Sequence, residues 1–298
     1  MRTDEPMETV APWDGRRVPV TLIGGYLGSG KTTLINELLA RTDQPIAVLV
    51  NDVGEVNIDA ALLRRRSSDT IELTDGCVCC SLREGLAAAF DGLRSRPHPP
   101  DHLLIELSGV ADPGRVAPWA DSDGFRLDGI IVLVDADQFA GRLADPNTAP
   151  TIRRQTEAAD VFAITKSDLT DGSGRIEIDA ALAEIAPHTP VVDVGTAGVA
   201  AVLDAGTRRP GGIAVVPDAQ LFDPHHVKLH PLPQPATIAE LNQILDDLPD
   251  SVVRAKAVAI DPDGNSLLVQ QVGRRRRIIA LPGAEHQEVT DLVVISVG

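Results

Sequence analysis

Gly25-Tyr26-Leu27-Gly28-Ser29-Gly30-Lys31-Thr32 follows the apolar run Val18–Ile23 and precedes the helical pattern Leu34, Ile35, Leu38, Leu39. A glycine, four residues, a second glycine, a lysine and a hydroxyl residue, set between a buried-type strand and a helix, predict a phosphate cradle. Gly25, Gly28 and Gly30 permit backbone angles that side chains forbid, and they let amide N–H groups approach phosphate oxygens. The helix that begins at Lys31 aims its positive end at the same anion. Lys31 supplies a point charge for the outer phosphates, and the Thr32 hydroxyl is placed to ligate Mg²⁺. Ser29 and Thr33 complete the candidate cradle. The competing reading is a glycine-rich strand–helix turn with a chance lysine, and the full spacing in this context favours the cradle.

Strand-like and helix-like stretches alternate from about Val18 to Ala205. The expected strands are Val18–Gly24, Ile46–Asn51, Thr70–Leu73, His102–Leu107, Gly129–Asp135, Val161–Thr165 and Val191–Val194. The expected helices are Lys31–Ala40, Leu82–Leu93, Arg153–Ala158, Arg175–Ile185 and Val199–Leu203. This alternation predicts an α/β fold with a mostly parallel sheet, which binds ligands at the carboxyl ends of its strands. Aromatic residues make up 3% of the 298 residues, so the core must be built from Val, Ile, Leu and Ala. The Pro-, Gly- and His-rich stretch Arg208–Pro235 reads as a linker into a second unit, with the linker proper at 208–223. That unit, 224–298, is expected to be a small α+β domain. It has a helix near Ile238–Asp247, strands near Val252–Ile260, Leu267–Val272, Arg277–Ala280 and Val289–Val297, and a hairpin turn at Asp261–Asn265. The polar, acidic segment 1–17 reads as a flexible tail without a signal core.

A net charge of −16 argues against nucleic acid as the main partner. The basic runs Arg64–Arg66 and Arg274–Arg277 read as solvated faces or edge-strand protection. No stretch has the ~20 apolar residues of a membrane span. The three cysteines fall within four positions, so no disulfide framework is available, and a reducing cytoplasm is the expected setting.

Two further segments fall at strand ends. Glu106-Leu107-Ser108-Gly109 closes the His102–Leu107 strand. Glu106 can hold Mg²⁺ or orient an attacking water, and the Gly109 amide can meet a γ-phosphate. Thr165-Lys166-Ser167-Asp168 closes the Val161–Thr165 strand. There Asp168 is placed to accept from guanine, and the Lys166 stem to pack on the purine face. This favours GTP, with ATP left open. Asn51-Asp52-Val53-Gly54-Glu55 follows the second strand as a candidate switch loop whose carboxylates face Mg²⁺ or a second metal; an ordinary polar loop is the alternative. Lys31, Glu106 and Asp52 are the catalytic candidates.

Cys77, Cys79 and Cys80 are soft ligands suited to Zn²⁺ or a similar metal such as Co²⁺. They supply at most three thiolates, so a tetrahedral ion needs a fourth ligand of another type. A site with one exchangeable position suits transport or sensing better than scaffolding. Asp75-Gly76 before the cluster and the capping pattern Ser81-Leu82-Arg83-Glu84 after it place the thiols in a loop at a helix start, where they ionise readily. Buried small side chains or a redox pair are the alternatives. His225, His226 and His230 form a weaker metal candidate, with a linker leading into a strand as the competing reading.

In this order and spacing, the segments at Gly24–Thr33, Asn51–Glu55, Gly76–Cys80, Glu106–Gly109 with Ala111–Pro113, and Thr165–Asp168 resemble the CobW-type metallochaperone GTPases. The resemblance runs through Val18–Ala205 and more loosely through Val253–Ala257 and Leu267–Gln270. It implies a P-loop GTPase that hydrolyses GTP to GDP with Mg²⁺ and loads zinc or a similar divalent metal into a client metalloprotein. It implies that Lys31 and Thr32 hold phosphates and Mg²⁺, that Asp168 reads guanine, and that Cys77, Cys79 and Cys80 hold the metal with Glu55 as an additional ligand. Homo-oligomerisation is left open. The chain departs from the family pattern at Asp52 and Val53, where Glu-Phe is usual, at Thr165 in place of Asn, and in lacking a long histidine-rich run. It ends soon after its last expected strand, so client docking by a C-terminal helix is not expected. A P-loop small-molecule kinase and a nucleotide-controlled regulator without metal delivery are the alternatives.

Overall fold

Strands rich in Val, Ile and Leu on both faces can be buried only between two helical layers, and seven of them pair in parallel here. The computed structural model describes residues 16–42, 45–50, 70–72, 81–96, 98–122, 124–206, 225–273, 275–281 and 291–297. The strands are β1 (Val18–Gly25), β2 (Ile46–Val50), β3 (Thr70–Glu72), β4 (His102–Glu106), β5 (Phe125–Asp135), β6 (Val161–Thr165) and β7 (Val191–Asp193). Their order across the sheet is β3-β2-β4-β1-β5-β6-β7. With β1 between β4 and β5, the loop after β1 is flanked by the ends of both. Ile23 pairs with Glu106 on one side, and Gly25 with Leu133 on the other.

The helices are α1 (Lys31–Arg41), α2 (Ser81–Arg94), α3 (Pro113–Ala120), α4 (Phe139–Ala144), α5 (Ala149–Glu157), α6 (Gly172–Ile185), α7 (Val194–Ala197) and α8 (Val199–Gly206). One layer, with α1 and α8, packs Leu34, Ile35, Leu38, Val199 and Val202 against Ile23, Val48 and Leu133. The opposite layer packs Leu86, Phe90, Val116 and Ile152 against Leu22, Leu49, Ile105 and Val132. Phe90 stacks on Phe125 with ring centroids 4.6 Å apart, so the few aromatics lie within an aliphatic core.

Three expectations need correction. The helix expected at Arg153–Ala158 begins at Ala149, because Pro150 sits in the first turn, where its missing N–H costs nothing. The strand expected at Gly129–Asp135 begins at Phe125: Arg126 and Asp128 break the apolar run, and a register shift between Val20 and Thr21 absorbs the irregularity. The unit expected from 224 opens with strand β8 (His225–His230), where the Pro-, Gly- and His-rich composition of Arg208–Pro235 predicted no strand. A strand held on one side by backbone bonds tolerates such polar side chains.

The second sheet is antiparallel, in the order β11-β10-β9-β12-β8. It comprises β9 (Val252–Ile260), β10 (Ser266–Val272), β11 (Arg275–Ala280) and β12 (Leu292–Val297) with edge strand β8. Helix α9 (Ile238–Asp246) opens with a capping box between Thr237 and Glu240 and buries Leu241 and Leu245 on the sheet. The β9–β10 hairpin turns at Gly264, whose φ of 86° is open to glycine at little cost. Val253 and Ile295 join the core cluster of the parallel-sheet unit, so the two units share buried apolar contact.

Candidate nucleotide site at the carboxyl edge of the parallel sheet

The cradle leaves β1 through glycines with φ of 124° at Gly25, 78° at Gly28 and 99° at Gly30, all in the left-handed region. A Cβ on Gly25 would lie 2.6 Å from the Leu133 carbonyl oxygen, so the chain there admits only glycine. Lys31 is buried, and its ammonium folds back to donate to the Gly25 carbonyl at 2.8 Å. The Ser29 hydroxyl is buried and has no hydrogen-bond partner among the described residues. A buried polar atom of this kind suits an anion supplied from outside the chain.

Glu106 ends β4 beside the cradle, and the Thr32 hydroxyl donates to its Oε1 at 2.8 Å. The loop that follows is pressed onto the cradle: a Cβ on Gly109 would lie 2.8 Å from Leu27 Cα. Buried Gln155 of α5 holds that loop by donating to the carbonyls of Gly109 at 3.1 Å and Ala111 at 2.9 Å. The role of Gln155 had no counterpart in the sequence reading, because a single glutamine within a helix carries no motif.

On the other side of the cradle, β6 ends at Thr165, whose hydroxyl donates to the Ser29 carbonyl at 2.8 Å. The residue that departs from the usual Asn thus still ties this strand end to the cradle. Lys166 has φ 57°, a conformation rare for a side-chain-bearing residue. Its ammonium donates to the Gly28 carbonyl at 2.6 Å and to Asp135 Oδ2 at 2.5 Å. An open cavity of about 510 Å³ lies beyond it, with Gly30, Thr33, Glu37, Arg41, Lys166 and the segment Val194–Val199 on its walls. Asp193 shapes the far wall by accepting from the amides of Gly195 at 3.0 Å and Thr196 at 3.4 Å, while Arg175 holds it at 2.8 Å. Asp168 sits in a short 3-10 turn, Ser167–Leu169, and is exposed.

Gly25, Gly28, Ser29, Gly30, Lys31, Thr32, Thr33, Glu106, Gly109, Lys166 and Asp168 are therefore drawn to one edge of the sheet from three strand ends, those of β1, β4 and β6. Glu37, Arg41, Asp135 and Asp193 share that edge, and sequence reasoning missed them. Asp135 carried the same signal as Glu106, a carboxylate ending a buried strand. Asp52, Glu55, Cys77, Cys79 and Cys80 lie outside the described residues. Among the described residues no group of three or more His, Cys, Asp or Glu could hold a metal ion, so His226 and His230, alternating with Lys228 on β8, form no such cluster.

A sheet of this order with a glycine cradle after its central strand is that of a P-loop nucleoside triphosphatase. The model of the family described as CobW/HypB/UreG, nucleotide-binding domain, matches residues 19–193, more than half of the chain. The chain belongs to that family of P-loop GTPases. It is 33% identical over 196 residues to the zinc chaperone CobW of a Sinorhizobium species, covering 56% of this chain and 55% of that protein. It is 31% identical over 283 residues to the zinc chaperone YjiA of Escherichia coli, covering 86% of each. The crystal structure of Zn(II)-bound YjiA GTPase from E. coli aligns over 95% of each chain at 24% identity, with a TM-score of 0.49. The chain thus spans about half the length of one of these relatives and most of the other.

Proposed function

We propose that the protein hydrolyses GTP to GDP and phosphate and uses that cycle to transfer zinc, or a similar divalent metal, to a client metalloprotein. The observation that carries the nucleotide half is the Thr32–Glu106 pair at the mouth of the cradle, 2.8 Å apart, on the opposite side from Lys166 and its cavity. Phosphates on the cradle would point a nucleoside toward that cavity. Two hard oxygen donors side by side also fit Mg²⁺. Thr32 and Glu106 would hold that ion, which when bound supplies charge neutralisation on the phosphate oxygens.

The chain's own part is positional. Lys31 would leave the Gly25 carbonyl for the phosphates and carry its charge to the oxygens where negative charge develops. Glu106 would orient the water whose oxygen bonds to the γ-phosphorus as the bond to the β–γ bridging oxygen breaks. Gly109, held close to Leu27, would report the γ-phosphate to the loop that Gln155 anchors. Lys166 and Asp168 would receive the guanine.

The metal half is supported by the family and by the zinc chaperones it resembles, together with the thiols Cys77, Cys79 and Cys80 and the carboxylate Glu55. The test uses purified, reduced protein: bound metal is measured, GTP competes with ATP for binding, and phosphate release is followed. Zinc binding, preference for GTP and phosphate released to water are expected. Phosphate appearing on a small-molecule acceptor would instead make the protein a kinase.

A further inference from the structure

Asp135, buried at the end of β5, takes two cations from distant parts of the chain on one oxygen. Lys166 donates to its Oδ2 at 2.5 Å, and Arg275 of β11 donates to the same atom. Arg275 also places its Nε 3.3 Å from Asp137 Oδ2. Next to this pair, Gln138 Nε2 donates to the Val272 carbonyl at 3.2 Å. A Cβ on Gly28 would lie 2.4 Å from Val272 Cγ1, so the end of β10 sits directly on the cradle. Val272 and Arg275, which flank the β10–β11 turn of the antiparallel sheet, therefore touch Gly28 and Asp135, the two partners of the Lys166 ammonium. A carboxylate shared by two cations is fixed by both, and loss of either frees it to move relative to the other.

We propose that Arg275 is a positioning residue for the nucleotide. From the second sheet it fixes Asp135, and through Asp135 it sets Lys166 at the edge of the nucleobase cavity. Nucleoside binding and docking of the β10–β11 turn are then linked, and by reciprocity each strengthens the other. Arg275 thereby has a role beyond protecting an edge strand. The inference rests on the proposal that the cavity takes the nucleoside.

The test is done on the full chain with two probes, GDP and inorganic tripolyphosphate. Arg275→Met keeps the stem and removes the charge; Arg275→Lys keeps a charge. Met at this position is expected to weaken GDP binding roughly fivefold or more. Tripolyphosphate, which has no nucleoside, should bind as before, and the Lys variant should recover GDP affinity toward that of the unaltered chain. In the unaltered chain GDP should slow amide hydrogen exchange across residues 266–280. Unchanged GDP affinity in the Met variant, or equal loss for both probes, overturns the inference alone. So does hydrogen exchange that ignores GDP, a measurement that stands even if the variants do not fold. Failure of the unaltered chain to bind GDP overturns the nucleotide proposal as well.

Discussion

Thr32 and Glu106 are the residues on which the proposed nucleotide chemistry turns, because the hydroxyl of one donates to the carboxylate of the other at 2.8 Å. Glu106→Gln keeps the shape but removes the charge, and phosphate release should fall about 100-fold or more while the fold is retained. Gly28 makes a different prediction. Alanine there meets Val272 and takes up a left-handed φ, so Gly28→Ala should destabilise the protein by about 1–3 kcal/mol from crowding, with about 1–2 kcal/mol more from the backbone. Adding Val272→Ala removes the two methyls but leaves a Cβ 2.9 Å away, so it should relieve part of the crowding and none of the backbone strain, and a double-mutant cycle of denaturant unfolding checks this. At the far end of the sheet, His102 shares a 2.8 Å hydrogen bond with the buried Thr21 hydroxyl. Burial holds its pKa below the ordinary value of 6.5, against the pull of Asp128 and with a smaller push from Arg126. The unfolded chain therefore binds this proton more readily. Its contribution to stability is full above pH 6.5 and is lost as pH falls through the lowered folded value. Thermal unfolding should show that decline, and His102→Asn should flatten it. The glycines, Lys31, Thr32 and Glu106 were legible in the sequence because fixed spacing on a strand–turn–helix leaves few other uses for them. Gln155 and Arg275 were not, because their partners lie far away in the chain and only folding brings them together, while Asp135 carried the signal of Glu106 and was missed.

Among the elements, α5 is the one whose task exceeds packing. Its Gln155 supplies the donors for two carbonyls of the loop after β4. Gln155→Leu leaves both without this donor and should cost about 1–3 kcal/mol. It should also alter the ratio of GTP to GDP affinity, measured by competition, because the freed loop carries Gly109. The strands were the most readable elements: β6 and β9 have the expected bounds. Helix α3 escaped notice because Pro113 and Pro118 look like breakers. In the structure Pro113 opens the first turn, behind an Asp112 side chain that accepts from the Gly114 amide at 2.9 Å. Strand β8 was obscured by its histidines, which a one-sided edge can carry.

At the scale of the whole molecule, two sheets meet at the carboxyl edge of the parallel one, and the antiparallel one reaches Gly28 through Val272 and Asp135 through Arg275. The fold class was legible from alternation alone; the contact between the units was not, because no periodicity encodes it. A chain organised in this way can make one ligand's affinity depend on another's, provided the same loops answer both. That dependence separates a metal-delivering GTPase from a protein that merely binds both ligands. The decisive measurement is the zinc affinity of the reduced, full chain, titrated against a competing chelator with a non-hydrolysable GTP analogue, with GDP and with no nucleotide. The affinities should differ by roughly fivefold or more between the triphosphate and diphosphate states. Cys79→Ala should lower them and remove the difference. Identical zinc affinity in all three states of the unaltered protein would contradict the coupling.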